Sequence, residues 1–141
     1  MATTTSSLHI KANREAVWIV LTDPTYVRQW QYGSVLETDW TVGSPIRFTT
    51  EVEGKIFEQW GTVLAVDAPR EARYTLFAPR PGLADSPENY FTMTYGLASD
   101  SDGTLVTITR EDPRPGAPET DGDGDDESPV LTALRDLAES I

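Results

Sequence analysis

His9 is the only histidine of the chain, and cysteine is absent. A thiol nucleophile, a disulfide framework, and a thiolate or histidine-rich metal site are therefore excluded, and any catalytic triad would have to recruit a histidine from the segment "LHI". A lone strand histidine is ordinarily structural or exposed. Glu51, Glu53 and Glu58 cluster around Glu53-Gly54, where solvent or pairing with Arg47 or Lys55 is their natural environment. Glu58 differs in one respect: buried beside Trp60 it would acquire a raised pKa and serve as a proton shuttle. Tyr74, Tyr90 and Tyr95 carry hydroxyls able to hydrogen-bond a ligand carbonyl. The acidic run "DGDGDDE" lacks the ligand ladder and the first flanking helix of a calcium loop, so neither a metal site nor a cofactor is expected.

These side chains need elements to position them. The chain opens with alternating Thr and Ser running into "LHI", a first strand. Asn13 then caps a helix whose first turn carries Glu15. Val17, Ile19, Val20 and Leu21 are too apolar for an exposed helix, so this helix packs on something larger. Asp23-Pro24 starts a second helix, with a capping side chain and a proline at the first helical position, where its missing N–H is harmless.

From Ser34 to Arg110 the pattern is β: segments rich in Val, Ile, Thr, Phe and Tyr, punctuated by Gly43, Glu53-Gly54, Pro79 to Gly82 and Asp102-Gly103. We read six strands in meander order. A two-residue turn at Glu53-Gly54 places Val52 opposite Lys55, Phe48 beside Gln59 and Arg47 beside Trp60. Ile46, Phe48, Phe57 and Val63 then share one face, and Arg47, Glu58 and Trp60 the other; a bulge would exchange the two sets. Residues 111–127 hold Pro, Gly and acids with little to bury, as a mobile loop would. Ser128-Pro129 starts a final helix whose Val130, Leu134, Leu137 and Ile141 recur along one face.

The 141 residues suit a single domain, 1–141, which would bury roughly 68–70% of its unfolded surface. No apolar run approaches the ~20 residues of a membrane span, and no secretory signal opens the chain, so a cytoplasmic location is expected. A formal net charge of −12 argues against nucleic acid as a partner, since phosphate binding draws on clustered Lys and Arg. Lysine is confined to Lys11 and Lys55. Two origins fit that balance: a salt-rich cytoplasm, in which molar salt screens a carboxylate surface within ~3 Å, or acidic drift in a GC-rich genome.

The order strand, two short helices, six antiparallel strands, helix is that of an α+β helix-grip fold, with a curved sheet around the last helix and the helix pair plugging one open end. "NREAVWIVLTDPTYVRQW", "DWTVGSPIRF", "GTVLAVDAPREARYTL", "DSPENYFTMTYGL" and "GTLVTITRED" resemble, in order, the START-like or SRPBCC superfamily. Within it they are most similar to the bacterial branch named after homologues of the heat-shock protein 90 ATPase activator. Two features depart from that branch: Val130 stands near the usual tryptophan of the final helix, and the acidic loop before it is unusually long.

The resemblance implies a cavity between sheet and last helix. Strand parity nominates Phe48, Tyr74, Phe91, Met93 and Tyr95 from the sheet to line it, with Leu134 and Leu137 from the helix and Trp30 closing the end. An empty void of ~300 Å³, at about 24 cal/mol per Å³, would cost roughly 7 kcal/mol, close to a whole domain's stability, so such a cavity should be filled, hydrated or partly collapsed. Binding of a small apolar or amphipathic molecule ranks first among the functions expected. A protein-interaction or co-chaperone-like role on a partner ATPase, using the acidic surface, Trp40 and Trp60, ranks second. Catalysis of a cyclase-like or hydrolase-like kind comes last. Oligomeric state has no signature in the sequence.

Overall fold

Asn13 accepts a hydrogen bond from the backbone N–H of Ala16 at 2.8 Å and so starts the first helix where the capping pattern predicts it. In the computed structural model, which describes residues 2–30, 33–79, 82–113 and 129–140, this helix is α1 (Arg14–Thr22), preceded by β1 (Ala2–Ile10). Asp23 restarts the chain by accepting from the backbone N–H of Thr25 at 2.9 Å, giving α2 (Pro24–Trp30). Six strands follow: β2 (Val35–Glu37), β3 (Pro45–Val52), β4 (Lys55–Asp67), β5 (Glu71–Leu76), β6 (Phe91–Asp100) and β7 (Gly103–Asp112). A short 3-10 turn (Pro87–Asn89) precedes β6, and α3 (Pro129–Ser140) ends the described chain.

The strands form one antiparallel sheet in the order β1-β7-β6-β5-β4-β3-β2. This is the expected meander, with β1 added at the β7 edge, and with its C-terminal helix it is the helix-grip fold. The β3–β4 turn has the predicted register, with Val52 opposite Lys55 and Phe48 opposite Gln59. Glu53 and Gly54 both take positive φ, 52° and 81°, as a two-residue hairpin of this hand requires. The bulge lies elsewhere, in β4 between Val63 and Ala65 opposite β5, so it leaves the β3 faces unchanged.

Parity assigned the faces of this hairpin correctly, but a shared face does not make every member buried. Phe57 shares the face of Ile46, Phe48 and Val63 but is 55% exposed, because β4 runs past the end of β5 and has nothing to cover it there. The capping serine at position 128, and residues 114–127 of the acidic loop, lie outside the described residues.

Helix α3 sits on the core through Leu134 and Ala138, both almost fully buried. Its C-terminal end is tied to the end of β1, where the backbone N–H of Lys11 donates to Glu139 Oε2 at 2.8 Å. Among the described residues no helix is long and apolar enough to cross a membrane.

Candidate functional site

The concave face of the sheet is organised by cross-strand rows. One row joins Val63, Tyr74, Met93, Arg110 and Thr4, each opposite the next in register. A neighbouring row on the same face joins Ala72, Tyr95, Ile108 and Ser6. Adjacent strands stand ~4.8 Å apart, so side chains within a row are immediate neighbours.

Tyr74 is the hub. It is 2% exposed, and its ring meets Phe48 at 5.9 Å, Trp40 edge-on at 5.9 Å and Tyr95 edge-on at 5.5 Å between centroids. The hydroxyls of Tyr74 and Tyr95 lie 2.6 Å apart and share one hydrogen bond. Burial is the main cause that pushes Tyr95 up to about 12, the hydrogen bond from Tyr74 acting against it. Tyr74 is raised well above the ordinary phenol value, chiefly by burial and then by repulsion from an ionised Tyr95.

A pH dependence follows. Unfolded phenols ionise near pH 10, whereas this pair keeps its protons, so its contribution to stability is complete below pH 10 and is lost as pH rises toward about 12. The urea midpoint should fall across that interval, and a Tyr74→Phe, Tyr95→Phe double variant should show a smaller fall. An equal fall in both proteins would remove the pair as its source.

The structure places the other nominated residues as follows. Phe48 and Phe91 are buried, Met93 is half-buried beside Tyr74, Leu134 is fully buried and Leu137 half-buried. Trp30 is buried, but its indole N–H donates to the Val20 carbonyl at 2.7 Å, which makes it a bracket between α1 and α2.

Tyr90 is not part of this group. Its hydroxyl donates to Asp85 at 2.6 Å, and Asp85 also accepts from the Trp60 indole at 3.2 Å, on the opposite face of the sheet. Phe77 is packed between the rings of Trp60 and Tyr90, at 5.5 and 5.4 Å. His9 also faces away from the concave side, between inward Leu8 and Ile10, with Nε2 2.9 Å from Asp102 and 3.7 Å from Asp100. Glu58 shares the outer face with Trp60, whose indole bonds Asp85 instead. Among the described residues no ion pair joins Glu51, Glu53 or Glu58 to Arg47 or Lys55, and no three carboxylate or histidine groups converge on a metal site.

Two residues of the concave side escaped sequence reasoning. Trp40, considered there as an exposed contact, is half-buried: its indole N–H donates to Thr22 at 2.9 Å while its ring edges Tyr74. Arg110 lies in the Tyr74 row, with its guanidinium 4.4 Å from the centre of the Phe91 ring and Nη2 3.2 Å from Asp112 Oδ2. Alternation along "LVTITRED" signals this placement, because Arg110 has the parity of Val106 and Ile108.

Residues 11–129 match the family model described as Activator of Hsp90 ATPase homolog 1-like protein, most of the chain. The chain belongs to that family. Solved structures of other bacterial proteins share the fold. A Cytophaga hutchinsonii protein known from its solution structure is 28% identical, with a TM-score of 0.78 over 99% of this chain and 95% of its own. The AHSA1-like protein of Aeromonas hydrophila is 18% identical, with a TM-score of 0.75 over 98% of this chain and 92% of that one. The Aha1 dimer of Colwellia psychrerythraea is 17% identical, with a TM-score of 0.69 over 99% and 97%. No curated protein sequence matches the chain. For this member of the family, the shared fold is compatible with ligand binding and with a co-chaperone-like module.

Proposed function

We propose that residues 1–141 act as one cytoplasmic binding domain that takes up a small, mainly apolar molecule between the concave face and α3, with one polar atom of the ligand meeting Tyr74 and Tyr95. The observation that supports this is the tyrosine pair. Each phenol offers one O–H donor and acceptor lone pairs, so two hydroxyls sharing a single hydrogen bond leave one O–H hydrogen unused. In an apolar surround an unused donor costs about 1–3 kcal/mol, which a ligand carbonyl or hydroxyl oxygen would recover. Phe48, Phe91, Met93 and Leu134 supply apolar surroundings.

The test is native mass spectrometry of the protein purified from its own host, followed by denaturing extraction and identification of small molecules. A stoichiometric apolar metabolite is expected, and Tyr95→Phe should reduce its occupancy. Bare protein, with no melting shift across a panel of hydrophobic compounds, would overturn the reading.

A protein-interaction role is the second reading, favoured by one observation. Val52, Ile56 and Phe57 are 50%, 63% and 55% exposed around the β3–β4 turn, a group of large apolar side chains that the fold leaves uncovered. On this reading Ile56→Asp would abolish capture of a partner without lowering the melting temperature.

A further inference from the structure

We infer that the ligand is a monocarboxylic acid and that Arg110 receives its carboxylate, an assignment that rests on the binding function proposed above. Arg110 is the one basic side chain on the concave face of β1, β5, β6 and β7 among the described residues. It sits in the same cross-strand row as Tyr74, with only Met93 between them, so a molecule lying along that row meets both the phenol pair and the guanidinium.

The guanidinium is held in place from two sides. The Phe91 ring lies 4.4 Å from its central carbon, and Nη2 donates to Asp112, whose side chain is only 4% exposed. Nε is withdrawn from solvent and has no acceptor, whereas the Arg110 side chain as a whole remains 43% open. A guanidinium carries five N–H donors in a planar fork that matches the two oxygens of a carboxylate, and Asp112 engages one edge of that fork. The remaining donors are spare on a residue whose orientation is already set, so little rotamer freedom is lost when an anion arrives.

The same geometry favours a carboxylate over a phosphate. Asp112 Oδ2 stands 3.2 Å from Arg110 Nη2, so a dianionic group on the same guanidinium would meet stronger repulsion from that carboxylate than a monoanion would. A planar monoanion fits both the fork and the charge. The overall acidity of the chain opposes anions, so the apolar tail would supply most of the affinity and Arg110 the choice of head group.

Matched probes test this on the full chain after removal of bound lipid: dodecanoic acid against methyl dodecanoate, and 2-naphthoic acid against its methyl ester, by isothermal titration at pH 7.5. Wild type should bind at least one acid about tenfold or more tightly than its ester, and in Arg110→Gln that ratio should collapse toward one. Asp112→Asn, which removes the competing carboxylate, should strengthen binding of the acid. If the esters bind as tightly as the acids in wild type, or Arg110→Gln keeps the preference, the assignment fails while the binding function stands. If no acid and no ester binds, both fail. The wild-type comparison needs no substitution and so survives a variant that does not fold.

Discussion

Replacing Gly61 by alanine is expected to cost about 4 kcal/mol or more, enough to leave much of the protein unfolded. A Cβ built on Gly61 would stand 1.8 Å from the carbonyl oxygen of Thr75 and 2.4 Å from its carbon. The colliding atoms are backbone, so no side-chain rotation relieves them. The local ladder explains the closeness: regular β4–β5 pairing ends at Val63 opposite Tyr74 and resumes only as a bridge between Trp60 and Phe77. Between these points the backbone N–H of Thr62 donates to the Thr75 hydroxyl at 3.1 Å instead of to a carbonyl. Glycine inside a strand commonly marks such a close approach. Gly96→Ala is the control, since its new Cβ would be 3.8 Å from the nearest atom, an ordinary contact. Equal urea midpoints for the two variants would disprove the argument.

Trp30→Ala should rank next, at about 4–5 kcal/mol, the upper range for truncating a buried tryptophan. Two losses combine. The indole is 3% exposed and fills space among the core residues, and its N–H closes a backbone deficit. In an unbroken helix the Val20 carbonyl would accept from the residue four positions on, but that residue is Pro24, which has no N–H. The Trp30 indole supplies the missing donor at 2.7 Å. Trp30→Phe keeps most of the volume and removes the donor, so it isolates the hydrogen bond and should cost about 1–3 kcal/mol. Chemical denaturation of the three proteins gives both values, and a Trp30→Phe variant as stable as wild type would show the carbonyl to be satisfied otherwise.

The same residues explain what the apolar helix pair of "AVWIVLTDPTYVRQW" does. Val17, Val20, Leu21, Val27 and Trp30 are all buried, so the pair closes the core over the sheet as its composition demands. The break between the helices is local chemistry, an aspartate cap and a proline. Its repair is not local. Trp30 returns to Val20 from ten positions away and Trp40 reaches Thr22 from eighteen, and neither contact has a periodicity by which a sequence could announce it.

The candidate site divides along a similar line. Parity along β5 and β6 correctly put Tyr74 and Tyr95 on one face, because successive side chains of a strand must alternate. That the two hydroxyls meet at 2.6 Å depends on the β5–β6 register, which sets Tyr95 opposite Ala72, so its ring leans across a small neighbour toward Tyr74. Tyr90 lies one residue before β6 and turns outward to Asp85. Three tyrosines of equal chemical promise were thus sorted by the ends of strands. Arg110 was legible in principle but reads as a strand terminus until pairing with β6 sets it opposite Met93.

By itself the sequence determined the order of elements, the helix starts at Asn13 and Asp23, the Glu53-Gly54 turn with its register, and the family. The elements, helix starts and turn follow from short-range rules of capping, alternation and the backbone freedom of single residues, whereas the family is read from the resemblance of several stretches in order. Tertiary structure alone decided that Phe57 is left uncovered, that Trp40 packs on Tyr74, that Gly61 has no room for a side chain, and that the Arg110 guanidinium lies against Phe91 and Asp112. Each of these depends on where a strand ends relative to its neighbours and on how the ladder is interrupted, and those are properties of pairs of segments distant in the chain.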